Sequence, residues 1–416
     1  MQNVKVLFLL IWSMLLCAAL SADIVYIVNS ESRTLSRIDT ETNITDNTFA
    51  TLGLVPNLLC VDENNIYVTC SGDNAVQVID RETGSLVRYI SIASSSNPWA
   101  VVKQGNILYV TGLMTNKVYR IDLQSNTVTG QQSVGISPEG MAVCGNKLYV
   151  ANSGGWASGY AGSSVSVLDL ESFTVVKTIS VSINPQYLTV HGNLVHVSCT
   201  GNWSTVSGHV DIIDSALDEV IYTLPLGGNP GAIWIDGTNM AYVGEGMSTG
   251  FYLYDANSLN LINSSSNPLT PGGIAITGDQ DNFYVLDQNW GSAGRLFRLN
   301  RSLQILDEYN LGLVPTDLAL YSSPTDLDDD LLATPGIQVF PNPLGKNGTL
   351  RVRSEYLGQT HFEIYNLRGQ RVLKHEVSKG TAALDLRDAG LASGIYLYRA
   401  VSGKGHVETG KLMILP

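Results

Sequence analysis

Apolar and polar residues alternate in short runs along most of the chain, and the runs recur in a fixed order. An aromatic residue or His opens a strand-like run, a polar turn follows, and a second alternating run ends at Asp. The segments read YIVNSESRTLSRID from Tyr26, YVTCSGDNAVQVID from Tyr67 and YVTGLMTNKVYRID from Tyr109. The pattern returns with longer insertions from Tyr149 and His196, then as YVGEGMSTGFYLYD from Tyr242 and YVLDQNWGSAGRLFRLN from Tyr284. Alternation with a period of two predicts strands. Repeats of roughly 40 to 47 residues built from short strands predict an all-β fold, a seven-bladed β-propeller with four-stranded blades.

The other half of each repeat begins at a proline: Pro56, Pro98, Pro138, Pro185, Pro230, Pro271 and Pro315. A nearly continuous apolar run follows (WAVVKQ, GMAVCG, YLTVHG, AIWIDG), as expected of an innermost strand buried on both faces. Proline fixes φ and donates no ladder hydrogen bond, which suits the residue at which the chain enters a blade. Asp39, Asp80, Asp122, Asp169, Asp214 and Asp255, with Asn300 in the seventh repeat, close the third strands. Their recurrence assigns them to turns, where a short Asx side chain hydrogen-bonds the next backbone. The proline runs and the aromatic-led runs are out of phase. VPTDLALY, ending at Tyr321, is therefore predicted to pair with DIVYIV from Asp23, closing the ring and removing an open sheet edge.

This pattern resembles the YVTN and YncE-like seven-bladed propellers of bacterial surface and periplasmic proteins. The resemblance rests on the YV-initial strands at Tyr67, Tyr109, Tyr149, Tyr242 and Tyr284 with the proline strands between them. It implies the fold over residues 23–322 and no single activity, since such propellers serve as lyases, lactonases, receptors and scaffolds alike.

Residues 323–335, within SSPTDLDDDLLATPG, read as an acidic linker. Residues 336–416 alternate again, in EIYNL and IYLYRA, and predict a small β-sandwich with one buried face per strand. This segment resembles the type A sorting domain of the type IX secretion system. The residues that carry the resemblance are Phe340, Pro341, Asn342 and Pro343, Tyr365 with Gly369, Gly394 with Tyr396, and Lys411. It implies export by the type IX machinery, removal of the module, and release or attachment at the outer surface of a Gram-negative bacterium.

Composition sharpens this picture. Charged residues make up only 15% of the 416 residues, so Ser, Thr, Asn and Gly must cover much of the surface. Residues 23–321 carry 12 basic and 27 acidic side chains, residues 336–416 carry 11 and 6, and this reversal of sign argues for separate domains. An acidic propeller excludes nucleic acid as a partner, because phosphate contacts need Lys and Arg. Lys5, the apolar run VLFLLIWSMLLCAAL and the small residues Ala19, Ser21 and Ala22 predict a secretory signal peptide over residues 1–22. No later segment is apolar enough to span a bilayer, so the mature chain is expected to lack a transmembrane segment. Cys60, Cys70, Cys144 and Cys199 read as small free thiols.

In a propeller, the loops that enter the inner strands and the loops between second and third strands share one face. Here those loops hold Trp99, Trp156, Tyr160, Trp203 and Trp290 in Gly- and Ser-rich surroundings, whereas Trp234 in AIWID reads as core. Large aromatics in such loops suit sugars, flat cofactors or a protein partner, or fill the loops' own small cores. Glu139, Glu245, Asp287 and Asp317 are expected around the same mouth, either as oxygen ligands for calcium or as solvated rim charges. No other cofactor or metal is expected. No HExxH or CxxC occurs, and His209, the one His near this face, has no partner for acid–base work, so no catalytic residue is assigned. The expected function is non-enzymatic binding of an extracellular ligand, glycan or protein, with vitamin B12 capture by related surface propellers as one precedent. The alternatives are a structural surface-layer or envelope component and a propeller lyase or lactonase.

Overall fold

The computed structural model describes residues 23–247, 249–322, 337–340, 344–345, 349–354, 359–366, 368–378, 380–386, 391–402 and 407–415. The expected signal peptide and linker lie outside them. The chain divides into two compact units, Met1–Ser323 and Pro324–Pro416.

The first unit is a β-propeller of seven four-stranded antiparallel sheets. Blade 1 joins Pro315–Tyr321 to Ile24–Asn29, Thr34–Asp39 and Ile44–Thr51. Its closing pair runs antiparallel from Ile24 opposite Tyr321 to Asn29 opposite Pro315, as the phase of the repeats requires. The inner strands of blades 2 to 6 are Pro56–Val61, Pro98–Gln104, Pro138–Cys144, Pro185–His191 and Pro230–Ile235. Blade 7 begins later than the repeat predicts, at Ala275 rather than Pro271. The intervening glycines explain the shift. The Gly273 carbonyl accepts from Glu245 N–H (2.7 Å), and the Ile274 carbonyl accepts from Ala232 N–H (3.1 Å), so this segment crosses to blade 6 before joining its own sheet. A Cβ on Gly231 or Gly244 would lie 2.4 or 2.3 Å from the Ile274 carbonyl oxygen. Each inner strand packs against the next, and blade 7 returns to blade 1, so the sheets form a closed cycle.

Packing follows the repeat. The strand-opening aromatics Tyr26, Tyr67, Tyr109, Tyr149, Tyr242 and Tyr284 are buried between blades. Several keep their hydroxyls paired, as with Tyr149 donating to Asp218 Oδ1 (2.6 Å). His196 takes the same place in blade 5, fully buried, with Nδ1 sharing a 2.7 Å hydrogen bond with the Tyr254 hydroxyl. Burial holds its imidazole down at about 4, so it stays neutral at pH 7. The recurring aspartates are turn residues: Asp80 Oδ1 accepts from Thr83 N–H (2.8 Å) and Asp122 Oδ1 from Ser125 N–H (2.7 Å). Cys60 stands opposite Tyr67 and Cys70 opposite Pro56, and all four described cysteines are free.

The second unit packs a three-stranded sheet (Ile337–Phe340, Thr349–Ser354, Gly380–Asp385) against a five-stranded one around a core that includes Leu350, Val352, Phe362, Ile364, Leu384 and Leu412. The five strands are Leu344–Gly345, Val407–Leu415, Gly394–Ser402, Thr360–Asn366 and Arg371–Val377. It is the small sandwich read from the alternation.

Candidate functional site

One backbone device builds the face that carries the tryptophans. The residue before the blade-opening proline takes a left-handed conformation at Val55, Asn97, Ser137, Asn184 and Val314. In blades 1 to 6 the carbonyl before the proline accepts from the first residue of the loop between strands two and three, as in Ser71 N–H to Val55 O (2.9 Å). The inner strand then bulges, with register shifts after Pro56, Pro98, Pro138, Pro185 and Pro230. A bulge puts two residues opposite one and re-aims side chains. Here it occurs beside the residues that line the mouth.

That mouth holds a cavity of about 300 Å3. Its lining includes Trp99, Trp203, Trp290 and Tyr187, with Asn57, Gln186, Thr200, Gln288 and Thr316 as the polar groups, and no charged side chain. Trp203 and Trp290 are 40% and 64% exposed. Trp203 sits at φ 60° in a loop that Asn202 caps, its Oδ1 accepting from the N–H of Thr205 (2.8 Å) and Val206 (2.7 Å). Its indole lies on the backbone of Gly246, where a Cβ would come within 2.6 Å of the ring.

Most of the polar lining is already committed. Asn57 Nδ2 donates to Ser71 Oγ and to the Pro98 carbonyl, the Thr316 hydroxyl to the Asn57 carbonyl (2.6 Å), and the Thr200 hydroxyl to Gln186 Oε1 (3.0 Å). Gln288 differs. It is 6% exposed, and its amide makes no hydrogen bond among the described residues.

Further along the inner strands lies a second cavity of about 150 Å3, sharing Leu58 and Tyr187 with the first and lined by Asp317. Asp317 Oδ2 accepts from Leu59 N–H (3.0 Å), and burial raises its carboxyl to about 7. Glu139 is also buried, and the lost solvation raises it to about 8 despite a hydrogen bond from Ser153. Burial, then the nearby carboxyls of Glu139 and Asp317, push the Tyr187 phenol up as well.

The remaining candidates fall elsewhere. Trp156 stands on a short 3-10 turn, 80% exposed, outside the cavity lining, because its long insertion carries it into solvent. Tyr160 is 8% exposed and packs inside that same insertion, beside Trp203 and Glu139 rather than in the cavity. Glu245 is buried and caps its own loop, accepting from the N–H of Met247 (2.9 Å) and Thr249 (3.1 Å). Asp287 accepts from Asn289 N–H (3.0 Å) and pairs with Arg295 (2.8 Å). The four acids therefore do not converge, and no three His, Cys, Asp or Glu among the described residues form a metal-holding group. Trp234 packs as expected, with the Arg301 guanidinium 5.2 Å from its ring centre.

In the second unit Tyr365 donates to Glu363 (2.7 Å), Gly369 takes φ 77° in the turn that Asn366 caps, and the Tyr396 hydroxyl donates to the Ala392 carbonyl (2.9 Å). Gly394 opens a strand; Phe340 and Lys411 lie in strands, and Pro341, Asn342 and Pro343 lie outside the described residues.

These features define an all-β protein, a propeller with an aromatic mouth joined to a small sandwich. Residues 338–415 match the family described as secretion system C-terminal sorting domain. The chain therefore carries a type IX sorting domain, which indicates export by that system and supports secretion or attachment at the cell surface. No curated protein matches the chain. Among solved structures, it is similar to a functionally unknown protein from Desulfotomaculum acetoxidans DSM 771, at 13% identity and a TM-score of 0.59, covering 72% of this chain and 99% of that one. It is also similar to Kuenenia stuttgartiensis hydrazine synthase, at 15% identity and a TM-score of 0.50, covering 65% and 96%. At such identities the likeness speaks to fold alone. Among the described residues no helix is long and apolar enough to cross a membrane.

Proposed function

We propose that this chain is an exported, non-enzymatic binding propeller of the YVTN and YncE-like kind, taking an extracellular ligand at the mouth formed by Trp99, Trp203 and Trp290. The observation that carries the reading is the open cavity of about 300 Å3 in which three indoles meet the amide of Gln288, which makes no hydrogen bond among the described residues. Its volume lies at the lower end of the range for small-molecule sites, about 300–1,000 Å3. Tryptophan offers flat apolar area at little cost in side-chain entropy.

The test pairs melting with binding on Trp99→Ala, Trp203→Ala and Trp290→Ala. Solubilised cell-surface glycans and a corrinoid serve as probes, read by tryptophan emission. Trp290→Ala is expected to weaken binding while shifting stability by less than about 0.5 kcal/mol, as for an exposed loop residue. Early melting in all three variants with binding intact would remove the mouth as the site.

A second reading, a surface component that packs through this face, is favoured by the apolar rim. Met114, Trp156 and Met247 project from its loops at 69%, 80% and 56% exposure. High abundance in envelope extracts, without any soluble ligand, would support it.

A further inference from the structure

Gln288 lines the mouth without a hydrogen-bond partner among the described residues. It is the first residue of its loop in blade 7, where blades 2, 4 and 5 have Ser71, Ser153 and Thr200. Those hydroxyls all close onto protein carbonyls: Ser71 on Pro98 (2.9 Å), Ser153 on Ser137 (3.1 Å), Thr200 on Pro230 (3.0 Å). Gln288 is left with neither a backbone nor a side-chain hydrogen bond among the described residues, although it is 94% buried. Its amide atoms are not among the fully buried unpaired ones, so they reach the space of the cavity. It lines a cavity together with Tyr187 and Gln186.

Resting on the binding reading above, we propose that the ligand is the end of a neutral glycan, with a sugar ring on the indole of Trp203 or Trp290 and its hydroxyls on the amides of Gln288 and Gln186. Three lines of chemistry select this class. The lining contains no charged side chain and no Lys or Arg, and the cavity beyond it ends at Asp317, so an anionic ligand finds no counter-charge. A wholly apolar or flat aromatic ligand would seal the mouth over Gln288 and leave its desolvation unrelieved. An organic cation would use the rings but none of the neutral donors and acceptors between them. A sugar has an apolar face of C–H groups and a rim of hydroxyls, which matches rings interleaved with amides.

The experiment uses the full chain. Neutral oligosaccharides of glucose, mannose, xylose and N-acetylglucosamine are titrated against tryptophan emission and melting temperature, beside polygalacturonate, tetramethylammonium and cyanocobalamin. A saturable response to a neutral oligosaccharide is expected. Gln288→Leu should weaken it about tenfold with melting unchanged or raised, because the amide makes no bond in the free protein. Gln288→Ala replaces it if the leucine variant fails to fold. Three results overturn the proposal. If a charged or non-carbohydrate probe alone binds, and Trp290→Ala abolishes it, the class is wrong while the mouth remains a binding site. If Gln288 variants melt early yet bind neutral glycans with unchanged affinity, the amide is structural. If no probe alters the emission and the tryptophan variants melt early, the binding reading falls with it.

Discussion

Val55 and Val314 hold a left-handed backbone at φ 52° and 51°, a region that costs a β-branched residue roughly 1–2 kcal/mol. Asn97 and Asn184 occupy the same place in blades 3 and 5, and Asn tolerates that conformation far better. The strain at Val55 is retained because its carbonyl anchors Ser71 N–H (2.9 Å) and so fixes the loop beside the mouth. Val55 is 54% exposed, so little packing opposes its replacement. Val55→Asn is therefore expected to stabilise the propeller by about 1 kcal/mol and raise its melting temperature by about 2–4 °C. An unchanged or lower melting temperature in thermal denaturation would show that the valine is not strained there. Gln288 illustrates the other side of legibility at this scale. The tryptophans announce themselves by rarity and loop context, whereas a lone Gln carries no motif. Only its alignment with Ser71, Ser153 and Thr200 in the repeat marks it out.

The inner strand is the element on which both closure and electrostatics turn. Its starting proline and apolar run were readable because the repeat supplies many copies. The start of blade 7 was not, because Gly272 and Gly273 leave the backbone free to follow contacts on blade 6 that no local pattern encodes. Ile24–Asn29 is buried throughout, and Pro315–Tyr321 covers one of its edges. Deleting Pro315–Tyr321 exposes that edge and the apolar faces of two neighbouring blades. At roughly 25 cal/mol per Å2 the loss should exceed a typical margin of about 5–15 kcal/mol, so the expected product is insoluble or lacks a cooperative melt. The inner strands also carry Glu139 and Asp317, whose carboxyls burial raises to about 8 and about 7. Between the ordinary carboxylate range and those values the unfolded chain releases protons that the folded chain keeps, so stability falls as pH rises through that window. Turn aspartates such as Asp80 and Asp122, lowered by hydrogen bonds from Thr83 and Ser125, act in the opposite sense below it. Melting temperature should therefore peak at mildly acidic pH and decline toward pH 8. Glu139→Gln should flatten the decline, and a wild-type profile unchanged by that substitution would exclude Glu139 as its source.

At the scale of the whole molecule, each hydrophobic cluster lies wholly within one unit, Leu344 to Ile414 in one and Ile24 to Tyr321 in the others. Among the described residues no cluster draws on both units, so each is expected to fold by itself. The opposite charge balance of the two segments, 27 acidic against 12 basic and 6 against 11, points the same way. The division was legible because alternation, charge and repeat all change near Tyr321. What lies at the mouth was not, since a ligand leaves no periodic trace. Such independence separates address from function: residues 338–415 supply the sorting signal, and the propeller supplies the mouth. Deleting residues 336–416 should leave a propeller that melts cooperatively at nearly the parent temperature and retains the tryptophan emission of the full chain. In a bacterium with a type IX system, that product should accumulate in the periplasm and vanish from the cell surface and medium. Fractionation with the full chain as control decides it: truncated protein at the surface in normal amounts would mean that the propeller carries its own export signal.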